Sequence, residues 1–210
     1  MMNSAPVVYV VDDDPSMRRA LYRTITAGGW EVQSYASGEE FLAAYDPSRP
    51  GCVVLDLRMP NMSGLTVQEH LARREALLPV IFITAFGEIQ VAVEAMKKGA
   101  IDFLEKPFSN QQLLTCIEQS LNANVRALQA QHVCEERKGR LARLTPRERE
   151  VMQLLLEGCS NKVVAAELGL HIRTVEVHRQ KIMRKMGVCS LVELFRDVAL
   201  PPAPAGHEVR

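Results

Sequence analysis

Residues 53–65, VVLDLRMPNMSGL, constrain this chain more than any other stretch. An apolar run, Val53-Val54-Leu55, stops at a carboxylate, Asp56. Arg58, Pro60, Asn61, Ser63 and Gly64 then follow as loop residues. A short apolar run bounded by turn signals suits a strand buried on both faces. Asp56 would stand at the carboxyl end of a parallel strand, the edge where open α/β sheets place their ligands. Burying a carboxylate there is costly unless something charged binds it. Taken alone, the same residues also fit an acidic turn or helix cap, so the meaning of Asp56 depends on the rest of the chain.

The first half repeats the pattern. Val7–Val11 is a β-branched run ending at Asp12-Asp13-Asp14, and Pro15 and Ser16 open a helix that stops at Gly28-Gly29. Further strands are predicted over 31–35, 52–55, 79–84 and 100–104. Helices are predicted over 38–45, 65–74 and 88–98, the last closed by Gly99. Ser37 with Glu40, and Ser109 with Gln112, have capping-box spacing. Five strands alternating with helices mean an α/β fold on a parallel sheet with right-handed crossovers. Four strands end in reactive side chains: Asp12 and Asp13, Asp56, Thr84, and Lys106. Parallel strands bring these to one edge, where three carboxylates would repel one another. Mg²⁺ resolves the repulsion, since it takes one or two carboxylates and keeps its waters and a phosphate oxygen. Lys106 adds a point charge and Thr84 a hydroxyl donor. The set suits phosphoryl transfer to a carboxylate, where positioning and charge neutralisation supply most of the catalysis.

On VVDDD, VVLDLRMPNMSG, ITA and EKPF, in that order, residues 5–124 resemble the flavodoxin-like (βα)5 receiver domain of two-component response regulators. The resemblance implies that Asp56 accepts the phosphoryl group. It implies that Asp12 and Asp13 hold Mg²⁺ with Asp56 and the backbone carbonyl of Arg58. Lys106 would pair with the phosphoryl group, Thr84 would hydrogen-bond it, and Phe103 would be the coupled aromatic if it is not plain core. The Lys106-Pro107 bond is expected to be cis. Asp14 reads as a solvated helix-start residue.

Past residue 108 the chain changes character. Leu114, Leu121 and Leu128 recur at sevens with Ile117 between, but Asn124 and Gln131 interrupt the pattern, so a coiled-coil signal fades. Helix formers continue to Lys138, and Gly139 can end the run. The segment is a partly helical linker or a mobile polar tether. Thr145-Pro146-Arg147-Glu148 then combines an N-cap, a proline at the first helical position and an acid at the third. Short helices follow, separated by Gly158, Gly169 and Gly187, and the second and third make a helix-turn-helix. In the third, residues 173–186, Val175, Ile182 and Met186 share the core face. Arg173, Glu176, Val177, Arg179, Gln180, Lys181, Arg184 and Lys185 occupy the rest, with five cations against one anion, a footprint for phosphates.

Residues 142–200, carried by LTPREREVMQLLLEGCSNKVVAAELGLHIRTVEVHRQKIMRKMGV, resemble the LuxR-type output domain. The whole chain is thus similar to the FixJ/NarL class of response regulators. By position in that motif, Glu176, Val177 and Gln180 would face base edges. Asn161, Lys162, Arg173, Thr174, Arg179 and Lys181 would hold phosphates. Glu176 departs from the more basic residue of some relatives. It could accept from cytosine N4, or pair with Arg173 or Arg179 within the helix.

Charge supports a division of labour. Residues 1–124 hold 10 Lys+Arg against 15 Asp+Glu, and residues 125–210 hold 15 against 10, so only the second half suits a polyanion. Five dispersed cysteines without a C-x-x-C pair point to free thiols in a reducing compartment. No apolar stretch is long enough to span a membrane, and a cytoplasmic protein is expected. The expected domains are a receiver over 1–124, a helical linker over 125–141, a four-helix DNA-binding domain over 142–200 and a disordered tail over 201–210. The resemblance implies a sensor histidine kinase, promoter DNA and RNA polymerase as partners, with dimerisation on phosphorylation. Asp56 would be a nucleophile acting for its own domain, so the chain is not read as an enzyme. A carboxylate-nucleophile phosphatase would want a D-x-D motif, and here Leu57 separates Asp56 from Arg58. An RNA-binding antiterminator is the other alternative.

Overall fold

A computed structural model describes residues 5–84 and 102–199. The predicted helix over 88–98, its stop at Gly99, the start of the last strand and the tail over 201–210 lie outside the described residues. The chain divides into two compact units, Met1–Leu128 and Gln129–Arg210.

The first unit is a five-stranded parallel sheet of β1 (Val7–Val11), β2 (Glu31–Tyr35), β3 (Gly51–Asp56), β4 (Val80–Thr84) and β5 (Asp102–Glu105), in the order β2-β1-β3-β4-β5. β1, β3 and β4 are buried throughout, as their unbroken apolar runs require. Alternation along each strand divides the core into two layers. Val7, Tyr9, Val11, Val53, Leu55 and Phe82 face α2 (Gly38–Ala44) and α3 (Gly64–Arg73) through Phe41, Leu42, Val67 and Leu71. Val8, Val10, Cys52, Val54, Ile81 and Ile83 face α1 (Pro15–Ala27) and α4 (Asn110–Ala142) through Leu21, Ile25, Leu113, Ile117 and Leu121. Each such side chain stabilises the fold by roughly 1.5–3 kcal/mol.

Side-chain caps fix where the helices begin. The Asp14 carboxylate accepts from Ser16 N, and the Ser63 hydroxyl from Thr66 N. Ser109 and Gln112 form the predicted reciprocal box. Ser37 and Glu40 form only half of theirs: Ser37 Oγ accepts from Glu40 N, but the Glu40 carboxylate reaches one residue further, to Ala36 N.

The long helix corrects the sequence reading twice. It does not stop at Gly139 but runs to Ala142, since a glycine in helical conformation costs only about 1 kcal/mol. Nor is Asn124 a break in an apolar seam. Leu113, Ile117, Leu121, Asn124 and Leu128 form one buried face. Asn124 Oδ1 accepts from Gly51 N at 2.9 Å, and its Nδ2 donates to Leu77 O at 2.7 Å. A buried amide that satisfies two backbone groups looks, in sequence, like a defect in a heptad.

The second unit packs α5 (Pro146–Leu156), α6 (Asn161–Glu167), α7 (Ile172–Met186) and α8 (Leu191–Ala199) around Val151, Leu155, Val164, Ala165, Val175, Ile182, Met186 and Leu194. Gly169 turns the chain between α6 and α7 at φ 63°, a left-handed conformation suited to glycine. Leu170 N closes that turn on Ala165 O at 2.8 Å.

Replacing Asn124 with Ala strands both Gly51 N–H and Leu77 C=O, at roughly 1–3 kcal/mol each. Gly139→Ala meets nothing within 4 Å and should instead stabilise by about 0.5–1 kcal/mol. Urea unfolding of the two variants should move in opposite directions. Equal midpoints would show that Asn124 is not a structural pin.

Candidate functional site

The strand ends converge as the parallel sheet requires. Asp12 follows β1, Asp56 closes β3, Thr84 closes β4 and Lys106 follows β5. Backbone bonds carry the ladder past the strands: Leu57 N donates to Ile83 O at 3.0 Å and Lys106 N to Thr84 O at 2.9 Å. Asp12 is 2% exposed, Asp56 8% and Thr84 4%, while Asp13 lies exposed beside them. Gly64 allows the loop after Asp56 to close, because a Cβ there would lie 2.5 Å from the Asp56 carbonyl oxygen. Arg58 N donates to Asp56 Oδ2 at 3.0 Å and so orients the carboxylate. The Lys106-Pro107 bond is cis.

Lys106 holds the charges together. Its Nζ lies 2.8 Å from Asp56 Oδ1 and 3.7 Å from Asp12 Oδ2. Burial works against the ammonium, but hydrogen bonding and the charges of Asp56 and Asp12 outweigh it and raise the Lys106 pKa. Burial also raises the Asp12 pKa, against the Asp14 backbone N–H that stabilises the carboxylate, with the Asp56 charge adding to the rise. Asp12 Oδ1 accepts from Asp14 N, and Arg18 Nη1 donates to the Asp12 carbonyl, but Asp12 Oδ2 is buried without a hydrogen-bond partner.

That orphaned oxygen is what a hard cation would fill. Among the described residues no three His, Cys, Asp or Glu side chains form a metal cage. Mg²⁺ does not need one, since it binds through one or two carboxylates and keeps several waters. Asp12 and Asp56, with Asp13 at the rim and Arg58 in the following loop, fit that demand. Phe103 is 39% exposed on β5, so the plain-core alternative for it fails.

In the second unit, α5 positions the helix-turn-helix. Thr145 and Glu148 make a reciprocal capping box. The Glu148 carboxylate also receives Lys185 Nζ from α7 at 2.5 Å, and Arg147 donates to Leu168 O at the end of α6. Lys185 therefore does not belong to the phosphate footprint assigned to it from sequence. It flanks the core face of α7, three residues on from Ile182 and half-buried, a position the helical wheel alone could have flagged.

The remaining face of α7 is open. Arg173, Val177, Gln180 and Lys181 are exposed, and Thr174, Glu176 and Arg179 are half-buried. Lys162 on α6 is exposed. Asn161 lines one concavity with Glu176, Arg179 and Gln180. Of the two readings of Glu176, the intrahelical one is present: Arg173 Nη1 lies 3.5 Å from its carboxylate. Arg184, absent from the candidate contacts, is exposed at four residues from Gln180 and seven from Val177, on the same face.

Comparison with known proteins agrees with both halves. The family model for the response regulator receiver domain matches residues 8–118, and that for bacterial regulatory proteins of the luxR family matches residues 142–198. Nodulation protein W of Bradyrhizobium diazoefficiens is 43% identical over 90% of this chain and 84% of its own length. Transcriptional regulatory protein FixJ of Azorhizobium caulinodans is 41% identical over 95% and 94%. The solved structure of the response regulator StyR superposes with a TM-score of 0.88 at 44% identity, over 93% of this chain and 99% of that one.

The Lys185 hydrogen bond, with help from Thr145, lowers the Glu148 pKa to about 2 from an ordinary 4.5. A depressed carboxylate pKa stabilises the fold above the ordinary value and loses that contribution as pH falls through the depressed one. Glu148→Gln should cost about 1.5–3 kcal/mol near neutral pH. Its gap from the parent should shrink as the pH is lowered from 4.5 toward 2. Urea unfolding followed by circular dichroism checks this, and a gap independent of pH would exclude the pair as its source. By its two matched domains and its full-length relatives, the chain belongs to the FixJ/NarL-type response regulators, two-component transcription regulators with a receiver and a LuxR-type DNA-binding domain.

Proposed function

We propose that a sensor histidine kinase phosphorylates Asp56, that the phosphorylated chain dimerises, and that the paired helix-turn-helix units bind promoter DNA and act on RNA polymerase in the cytoplasm. The observation that carries this reading is Lys106 Nζ 2.8 Å from Asp56 Oδ1, at a strand edge shared with Asp12 and Thr84, in a chain that also holds a cationic helix-turn-helix. The receiver would occupy 1–124 and the DNA-binding domain 142–200, joined by the helical stretch 125–141.

Asp56 is the nucleophile of the transfer. One of its carboxylate oxygens forms the new P–O bond as the P–N bond of the donor phosphohistidine breaks, and the imidazole leaves with the bonding electrons. Asp12, Asp13, Asp56 and the Arg58 carbonyl are the groups that would hold Mg²⁺, whose charge offsets that of the phosphoryl oxygens. Lys106 pairs with the phosphoryl group from the β5 side. Thr84 recognises it from the end of β4, and exposed Phe103 responds on the adjacent strand. The relatives are transcription regulators, which favours a protein that is modified over one that turns over a substrate.

Asp56→Asn should leave the fold intact and carry no acid-labile phosphate after incubation with a small phosphodonor and Mg²⁺. Normal labelling of that variant would overturn the assignment. Thr84→Ala should label as the parent does yet fail to dimerise in sedimentation, since it removes recognition of the group and not the chemistry.

On DNA, Gln180→Ala should relax base preference at one position per half-site, by on the order of 1–3 kcal/mol. Lys162→Ala should weaken all sequences alike and flatten the salt dependence, because a phosphate contact positions without specifying. A half-site substitution series at two salt concentrations distinguishes the two roles, and the opposite pattern would turn the recognition surface around.

A further inference from the structure

α7 carries two exposed apolar side chains on a surface that is otherwise polar. Ile172 is 47% exposed and Val177 is 41% exposed. By contrast, half-buried Leu168, Leu170 and Met183 pack against the hydrophobic cluster of the second unit. The other exposed side chains of the helix are Arg173, Gln180, Lys181 and Arg184. Ile172 is the first residue of α7, and its neighbour His171 makes no side-chain cap bond, so no local capping group covers the start of the helix.

Ile172 is thus a stiff, β-branched side chain at the tip of a cationic helix, with one rotamer strongly preferred and little entropy to lose on contact. In a helix-turn-helix the N-terminal residues of the second helix come closest to the base edges. The major groove offers many donors and acceptors there but a single kind of apolar group, the C5-methyl of thymine. A phosphate or a guanine edge gains nothing from an isoleucine, whereas a methyl group does.

We infer that Ile172 is a further specificity-determining residue, which reads a thymine methyl in each half-site beside the bases met by Val177 and Gln180. This rests on the DNA-binding reading above and adds to it a residue and a base. It also gives a use to Glu176, one turn along from Ile172 at i+4, whose pairing with Arg173 keeps that cation beside the apolar tip.

The test uses the full chain, labelled with a small phosphodonor, and a duplex recovered by it from a random pool. Each thymine of that duplex is then replaced by deoxyuridine, which removes the methyl and nothing else. One such replacement in a single half-site should weaken the parent chain by about fourfold, the worth of one buried methyl group, and should leave Ile172→Ala unaffected at that position. Ile172→Val should keep most of the discrimination, and circular dichroism should show α7 intact in both variants. If Ile172→Ala keeps every thymine-over-uracil preference of the parent, or if the parent shows none, the inference is wrong while the DNA-binding reading stands. If no duplex is enriched at all, the DNA-binding reading falls and takes the inference with it.

Discussion

The Lys106 ammonium between Asp56 and Asp12 is the interaction on which the first unit's chemistry depends. Two buried carboxylates at neighbouring strand ends would repel each other in a poorly solvated pocket. A cation 2.8 Å from one and 3.7 Å from the other makes the arrangement tolerable. The sheet fixes that geometry. β1 and β3 pair directly, β4 lies beside β3, and β5 beside β4, so the ends of four strands stand in a row. The Thr84 carbonyl receives Lys106 N, which sets where the lysine leaves the sheet. Asp12 Oδ2, 3.7 Å from the Lys106 ammonium, is still buried without a hydrogen bond. An oxygen so placed fits the proposed hydrated Mg²⁺.

In the second unit, two adjacent residues of α5 have a comparable role. Arg147 reaches the carbonyl that ends α6, and Glu148 receives Lys185 from α7. One helical turn thus ties both helices of the helix-turn-helix to a common support. It also decides which cations are left for DNA. Lys181 and Lys185 are one turn apart on the same helix, yet the first is exposed and the second is held by a buried carboxylate. Counting charge along the sequence treats them alike. Their neighbours in three dimensions do not.

Much of this was legible because the informative residues sit at places where local rules are strict. Apolar runs ending in Asp12, Asp56 and Thr84 announce strand ends, and Thr145 with Glu148 announces a helix start. Part of what was hidden depends on residues distant in sequence. Asn124 looked like a flaw in a heptad because its partners, Gly51 and Leu77, are far away along the chain. Gly139 looked like a stop, but a glycine in a helix costs only about 1 kcal/mol, and the helix runs through it to Ala142. The intrahelical pairing of Glu176 with Arg173 was one of two sequence alternatives, and i,i+3 spacing could not choose between a base and a neighbour.

The same magnitudes limit how the proposed switch can work. Moving a two-state receiver from about 1:99 to 99:1 needs roughly 5.5 kcal/mol of differential stabilisation. A hydrogen bond from Thr84 to the phosphoryl group supplies roughly 1.5–3 kcal/mol, so Thr84 cannot drive the transition alone. The balance has to come from groups whose partners change when Asp56 gains a phosphoryl group, and Lys106 is the foremost of these. It now divides its charge between Asp56 and Asp12. Once Asp56 carries an acyl phosphate, the strongest anion in the pocket would be the phosphoryl group, and on this reading the ammonium would follow it. Its backbone N–H is bonded to Thr84 O, so a displacement of Lys106 would be felt at the end of β4, where Thr84 would be drawn toward the same group. On the proposed reading the switch would be a coupled movement of two adjacent strand ends, each supplying part of a free energy that neither provides by itself.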